Sequence, residues 1–238
     1  MATITEGKPL TREDFATEAG RRRAVRELMF ADHGLIRLFH RNVHEVAPGK
    51  LWRSHQPSPA EIARWAARGV RTIVNLRGDK PSGFLFLEEE ACAKARVRHI
   101  PLRAFSREAP PKEFLKRLRA LFGEIEYPAL MHCKSGADRV GIAATLYLFF
   151  EEGVALDEAM RQQLSFRYGH VRQGKTGVID YALERYLEHA RTAGVSLADV
   201  DAFMAWAESP AYDPVALKRE FMGSWWGNLL TERILRRE

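Results

Sequence analysis

A ten-residue stretch in the middle of the chain, residues 132–141 with the sequence HCKSGADRVG, constrains the fold more than any other. The residues before it, 127–131, form a short and mostly apolar run that contains a proline, which is typical of a buried strand. The residues after it, 142–152, are apolar and rich in Ala and Leu, which favours a buried helix. The sequence therefore predicts a strand, a tight loop bounded by Cys133 and Arg139, and a helix.

A junction of this kind is suited to binding an anion. The first N–H groups of a helix have no partner within the helix, and they carry partial positive charge. Gly136 eases a tight loop whose N–H groups can surround phosphate oxygens, and Arg139 offers a planar fork for two of those oxygens. The same positive charge favours the thiolate of Cys133, which is the form that attacks phosphorus. The pattern therefore indicates phosphate-ester chemistry with Cys133 as the nucleophile.

The arrangement His-Cys-x5-Arg-x-Gly resembles the signature of the cysteine-dependent protein tyrosine and dual-specificity phosphatase superfamily. The wording HCKSGADR is similar to its bacterial dual-specificity-like branch, and so are segments 53–57 (RSHQP) and 75–77 (NLR). The resemblance covers roughly residues 48–186. It implies a phosphocysteine intermediate, loop amides that stabilise the transition state, and a reaction that needs no metal or other cofactor. The loop residues expected to contact the substrate phosphate are Lys134, Ser135, Gly136 and Ala137.

Two departures from the family pattern concern the handling of protons and of the departing thiolate. In the resembling family a mobile loop supplies an Asp as general acid, but the corresponding residues here, 103–110, contain none. Three residues are candidates, in the order Asp138, Glu108 and Asp79, although Asp138 could instead have only a structural role. Val140 stands where many relatives carry Ser or Thr. Because valine has no hydroxyl to stabilise the departing thiolate, we expect hydrolysis of the phosphocysteine to be slow or to use another hydrogen-bond donor.

Other side chains are weaker candidates. A basic, glycine-broken loop in the C-terminal half could form a wall for a charged substrate, and contact is expected for Arg172 and Lys175. Cys92 is interpreted as an inert buried thiol, although some relatives protect their nucleophile with a disulfide to an upstream cysteine. The three carboxylates at 88–90 are interpreted as a solvated helix face. Arg77 is expected to form a structural salt bridge.

Composition limits the partners. The net charge of +6 favours anionic partners, but no nucleic-acid-binding module is present, so we expect no nucleic acid. The two cysteines argue against a disulfide framework and favour a reducing compartment. We find no signal-peptide segment and no membrane-spanning run, so we expect a cytoplasmic location and no integral membrane contact. Basic residues at 21–23 and a Trp pair at 225–226 leave peripheral membrane association open.

The expected fold is α/β, with a central, mostly parallel sheet flanked by helices and with helical extensions at both ends. The predicted domains are an N-terminal helical arm (1–47), a phosphatase domain (48–190) and a C-terminal helical extension (191–238). The expected function is a phosphomonoesterase acting on a phosphorylated substrate, with a protein tyrosine or dual-specificity phosphatase as the family default. The absent loop Asp and the basic rim keep a phosphoinositide, inositol phosphate or phospholipid phosphatase open. A catalytically weak phosphate-binding pseudophosphatase is the alternative from another class.

Overall fold

A computed structural model of the chain describes residues 9–32 and 42–235, of which residues 225–235 are described by their backbone. These residues divide into two compact units. The first contains the residues up to Leu102 together with Glu126–Ser135, and the second contains Arg103–Ile125 and the residues from Gly136 onward. Parts of the predicted arm (1–8 and 33–41) and the side chains of the Trp pair at 225–226 lie outside the described residues. The predicted domain boundaries after residues 47 and 190 stay a prediction.

The first unit is built on a five-stranded sheet. Its strands, in the spatial order β1-β2-β5-β3-β4, are β1 (His44–Ala47), β2 (Leu51–Ser54), β5 (Ala129–His132), β3 (Thr72–Asn75) and β4 (Arg98–Pro101). β1 is antiparallel to β2, and every other neighbouring pair is parallel. The carboxyl ends of the parallel strands therefore meet at one edge, where open α/β sheets bind ligands. The predicted α/β class with a mostly parallel sheet is confirmed.

The described part of the first unit also contains helices. They are α1 (Arg12–Ala16), α2 (Glu18–Arg26), a π-helix (Glu27–Ala31), α3 (Pro59–Ala67) and α4 (Gly83–Ala95). α3 begins with a capping box, because Ser58 and Glu61 satisfy each other's backbone N–H groups. One apolar cluster joins Ile62 and Trp65 of α3 to Cys92 of α4 and Leu130 of β5. This cluster fixes both helices against the central strand.

The second unit is helical. It contains α5 (Lys112–Glu124), α6 (Asp138–Glu151), α7 (Leu156–Gln163), two 3-10 turns (Phe166–Tyr168 and Lys175–Gly177), α8 (Val178–Ala193), α9 (Val200–Glu208) and α10 (Pro214–Leu235). α6 is buried continuously from Val140 to Phe149, as its apolar sequence predicts. The ring of Phe203 meets Tyr186 edge-on, with centroids 4.9 Å apart. Among the described helices, none combines the length and the apolar character that crossing a bilayer would require.

Candidate active site

Five residues, Cys133–Ala137, connect β5 to α6, so the predicted strand, loop and helix are present. Gly136 has φ +76, in the left-handed region that favours glycine. The N-cap residue of α6 is Ala137, whose side chain has no acceptor for the first N–H groups of the helix. A helix start of this kind is suited to an anion.

The beginning of this loop is held by backbone contacts within the first unit. The N–H of Cys133 donates to the carbonyl of Ser54 at 3.3 Å, and the carbonyl of Lys134 accepts from the N–H of Gln56 at 3.3 Å. The carbonyl of Ser135 accepts from Nδ2 of Asn42 at 3.0 Å. The side chain of Cys133 is buried. The end of β2 and the segment that follows it therefore fix the backbone of the predicted nucleophile.

Directly before the nucleophile, His132 belongs to a buried network around Glu88. His132 Nε2 donates to Glu88 Oε1 at 2.6 Å, and His99 Nε2 donates to the same oxygen at 3.1 Å. Oε2 accepts from Gln56 Nε2 at 2.7 Å and from Asn75 Nδ2 at 3.3 Å. Burial would raise the pKa of Glu88, but the charges and hydrogen bonds of the two imidazoles hold it far below its ordinary value. The solvated-face interpretation is therefore wrong for Glu88, which is 1% exposed.

Arg77 extends this network to the N-terminal arm. Both terminal nitrogens of its guanidinium donate to the carboxylate of Asp32 at 2.8 Å, and one also donates to Gln56 Oε1 at 2.8 Å. The guanidinium lies 3.5 Å from the ring centroid of Phe84. The structural salt bridge predicted for Arg77 is confirmed, and Gln56 joins it to the carboxylate of Glu88.

In the second unit, Asp138 opens α6 and is hydrogen-bonded to a buried histidine. His170 Nδ1 lies 2.8 Å from Asp138 Oδ1, and its Nε2 lies 2.6 Å from Asp180 Oδ2 on α8. Burial would lower the pKa of His170, but the hydrogen bonds to Asp138 and Asp180 raise it to about 9. At neutral pH the ring is therefore an imidazolium that donates to a carboxylate on each side.

Two of the cations that were predicted to contact substrate, Lys134 and Arg172, have carboxylate neighbours. Lys134 Nζ lies 3.7 Å from Asp32 Oδ1. The guanidinium of Arg172 lies 2.5 Å from Glu184 Oε1. Lys175 is exposed in the second 3-10 turn.

Arg139 and Val140 follow Asp138 in the first turn of α6. Arg139 is partly buried, and the side chain of Val140 is completely buried. Valine has no hydroxyl, so the position after Arg139 supplies no hydrogen bond to a departing thiolate.

The other two acid candidates lie in polar surroundings. Glu108 Oε1 accepts from Lys218 Nζ at 3.2 Å, and Asp79 is exposed in the bend after β3. Cys92 belongs to the apolar cluster of the first unit, where burial, with the nearby Glu88 and Glu89, raises its pKa to about 12. Such a thiol is inert at neutral pH. In residues 9–32 and 42–235, no three His, Cys, Asp or Glu side chains are arranged to hold a metal ion.

Sequence reasoning missed the carboxylates of Glu88, Asp32 and Asp180. For Glu88 a signal was present, because it follows Leu85 by one turn of α4 and precedes Cys92 by another, which places it on the buried face. Asp32 is 45 residues from Arg77 in sequence, and Asp180 is ten residues from His170 and lies on a different element. Only the tertiary structure reveals their partners.

Comparison with known proteins identifies the family. The protein-family model described as "DSP-PTPase phosphatase fused to NAD+ Kinase" matches residues 34–177. The dual specificity protein phosphatase TpbA of two Pseudomonas aeruginosa strains is 31% identical over 125 residues and 29% identical over 129 residues. These matches cover 50% and 54% of this chain and 54% and 56% of TpbA, so the chain spans about half the length of the curated relatives it matches. A crystal structure of P. aeruginosa TpbA shares 26% identity and gives a TM-score of 0.47, with 58% of this chain and 81% of that chain covered. Because the family model matches more than half of the chain, this protein belongs to the DSP-PTPase phosphatase family which that model describes.

Proposed function

We propose that the protein is a cysteine-dependent phosphomonoesterase that forms a phosphocysteine on Cys133. The main support is the HCKSGADR sequence on the loop between β5 and α6 in a member of a phosphatase family. In the first half of the reaction Sγ attacks phosphorus, and the bond to the leaving oxygen breaks. The fork of Arg139 and the amides of residues 134–137 balance the charge on the phosphoryl oxygens. In the second half water attacks phosphorus, the P–S bond breaks and the thiolate is restored.

The proposed catalytic residues are Cys133, Arg139 and Asp138. Asp138 lies in the loop signature itself, close in sequence to both other residues. Glu108, which lies 3.2 Å from Lys218 Nζ, and Asp79 stay the alternative acids for the leaving oxygen. A cytoplasmic location is part of this proposal, and the two free cysteines support it.

The substrate we propose is a phosphoprotein, with phosphotyrosine or dual specificity. The relative at 31% identity is a dual specificity protein phosphatase. A multiply phosphorylated lipid or inositol headgroup would need several cations available for its additional phosphates. Lys134 and Arg172, two of the cations that supported that alternative together with the absent loop Asp and with Asp138, already lie beside Asp32 and Glu184. The arrangement therefore favours a substrate with one phosphate.

Replacing the nucleophile tests this proposal. Cys133→Ser should reduce hydrolysis of 4-nitrophenyl phosphate at least about a thousandfold, because a hydroxyl is a far weaker nucleophile than a thiolate. Cys92→Ser is the matched control, since it makes the same change at a cysteine of the apolar cluster, and it should retain activity. Acid quenching followed by mass spectrometry of peptides should find phosphate on Cys133 in the wild type. Equal activity of Cys133→Ser and wild type would refute the proposal.

A second assay separates the alternatives. Phosphotyrosine peptides, phosphoserine peptides and phosphoinositides are compared at equal concentration by release of inorganic phosphate. Phosphopeptides should give the highest kcat/KM. Preference for a phosphoinositide would favour a lipid phosphatase, and a wild type that binds phosphate without turnover would favour the pseudophosphatase.

A further inference from the structure

In the first unit, α2 and the π-helix that continues it dock on α4 through one apolar face. Ala24 of α2 and Leu28 of the π-helix are buried in a cluster with Phe86 and Leu87 of α4. The two backbones approach closely, since a Cβ added to Gly83 at the start of α4 would lie 2.6 Å from the Cα of Ala24. These helices therefore have a fixed inner face.

Charged side chains on the inner side are compensated within the unit. Arg21 Nη1 lies 2.7 Å from Glu90 Oε2 on α4, and the guanidinium of Arg21 lies 4.8 Å from the ring centroid of Phe15. Glu27 Oε2 accepts from the N–H of Gly83 at 3.1 Å, so this carboxylate also points toward α4. Arg21 and Glu27 are therefore occupied in holding the helices in place.

The opposite side of the same helices carries cations and apolar side chains together. Arg22 and Arg26, one helical turn apart, are both exposed, and the side chain of Arg22 is 69% exposed. Val25 is 49% exposed, and Phe30, four residues beyond Arg26, is 57% exposed. We call these four residues the outer arm face. Its guanidinium groups alternate with apolar side chains that packing has left in solvent.

Positive charge predominates on this side. Arg23 is exposed as well, and the exposed carboxylate of α2 is that of Glu18, which lies 3.2 Å from Arg22 Nη2. Three exposed arginines therefore stand against one exposed carboxylate. An anionic partner complements this charge.

The apolar side chains narrow the class of anionic partner. At the surface of a bilayer, guanidinium groups meet lipid phosphates while apolar side chains enter the boundary of the acyl chains. A nucleic-acid backbone would use the cations but would gain nothing from Val25 and Phe30. We propose that the outer arm face binds the surface of a bilayer that contains anionic phospholipids, with α2 lying in the plane of that surface. This inference does not depend on the proposed phosphatase reaction.

Sedimentation of the full chain with sucrose-loaded vesicles tests the proposal. Vesicles of phosphatidylcholine with about 30% phosphatidylserine should bind the protein at least about tenfold more tightly than vesicles of phosphatidylcholine alone. Raising the salt concentration from about 0.05 to about 0.5 M should release most of the bound protein, because salt screens charges at a surface. Cys133→Ser should bind as the wild type does.

A paired substitution locates the binding on the outer arm face. Arg22→Gln combined with Arg26→Gln should weaken binding about ten- to thirtyfold, because each arginine near an anionic surface contributes about fivefold. The matched control is Arg64→Gln combined with Arg68→Gln. It removes the same charge at the same spacing from exposed positions at the end of α3, and its binding should stay within about twofold of that of the wild type.

A second substitution tests the apolar contribution. Phe30→Ser should weaken binding about five- to tenfold, because it removes a side chain that enters the acyl boundary. Phe166→Ser makes the same change at a side chain of the second unit that is 82% exposed, and it should retain binding.

The outcomes are distinct. Absence of a preference for phosphatidylserine would overturn the proposal, and so would equal losses in the two arginine pairs, since net charge alone would then explain binding. A loss in the Arg22 and Arg26 pair with none in Phe30→Ser would assign the face to an acidic protein or a nucleic acid, and would overturn it too. If the vesicle results are as expected while Cys133→Ser keeps full phosphatase activity, the proposed function fails and this inference stands.

Discussion

Each of the two compact units buries a network of histidine and carboxylate side chains, and the ratio of histidines to carboxylates is reversed between the two networks. In the first, the single carboxylate of Glu88 accepts from His132 and His99. In the second, the single imidazole of His170 donates to Asp138 and Asp180. Burial alone would neutralise the central group in both places. In each case two partners of the opposite kind outweigh burial and keep that group charged.

The reversal gives the networks opposite responses to pH. The pKa of Glu88 is held well below its ordinary value of 4.5, so its contribution to stability is full above pH 4.5 and is lost as the pH falls. The pKa of His170 is raised from 6.5 to about 9, so its contribution is full below pH 6.5 and is lost as the pH rises through 9. Only between these limits do both networks stabilise the fold fully. The comparison teaches that the single central group, a carboxylate in one network and an imidazole in the other, determines the pH at which a buried network loses its stabilising effect.

The largest effect is expected from removing the central carboxylate of the first unit. Glu88→Ala leaves four hydrogen-bonded neighbours without their acceptor, and we expect a loss of about 3–5 kcal/mol in the free energy of unfolding. Urea denaturation at neutral pH measures it. The difference from wild type should shrink as the pH is lowered below 4.5, since Glu88 then approaches its protonated form.

Glu90→Ala is the control for this change. Glu90 lies on the same helix, but it pairs with Arg21 and Lys94 near the surface, so we expect a loss below about 1 kcal/mol. Equal losses for the two variants would show that Glu88 is not the centre of a network, and the comparison between the units would fail.

His170→Gln is expected to have the second largest effect on stability. Raising the imidazole pKa from 6.5 to about 9 corresponds to about 3 kcal/mol. The wild type should be more stable than the variant by roughly that amount below pH 6.5, and the difference should decrease steadily up to pH 9 and beyond. Urea denaturation across this range measures it. A difference that grows with pH would contradict the imidazolium assignment.

Arg77→Lys tests the network of the first unit, and its effect on the free energy of unfolding should be smaller. An ammonium cannot reproduce the fork on Asp32, so we expect a loss of about 1–2 kcal/mol. The matched control is Arg71→Lys at the exposed pair with Glu126, where we expect less than about 0.5 kcal/mol. Similar losses at both positions would mean that the paired hydrogen bonds from Arg77 to Asp32 stabilise the fold no more than an ordinary surface ion pair does.

Much of the fold and part of the site could be predicted from the residues. The strand before Cys133, the helix that begins at Asp138 and the cap of α3 at Ser58 all follow from local sequence, because periodicity, turn residues and caps act over a few positions. The α/β class and the salt bridge of Arg77 were also predicted correctly. Glu88 was misinterpreted, because three identical neighbouring carboxylates differ only in which face of α4 is buried.

The sequence by itself determined where the loop that we propose to bind phosphate lies, because a cysteine, a glycine and an arginine at fixed spacing need no distant partner to define it. The tertiary structure alone decided which charges are compensated. Asp32 meets Arg77, Glu88 meets His132, and Asp138 meets His170, each across a separation in sequence that no local pattern spans. The physical reason is that a charge buried by packing must be balanced by whatever side chain the fold brings beside it, and that neighbour exists only once the chain is folded.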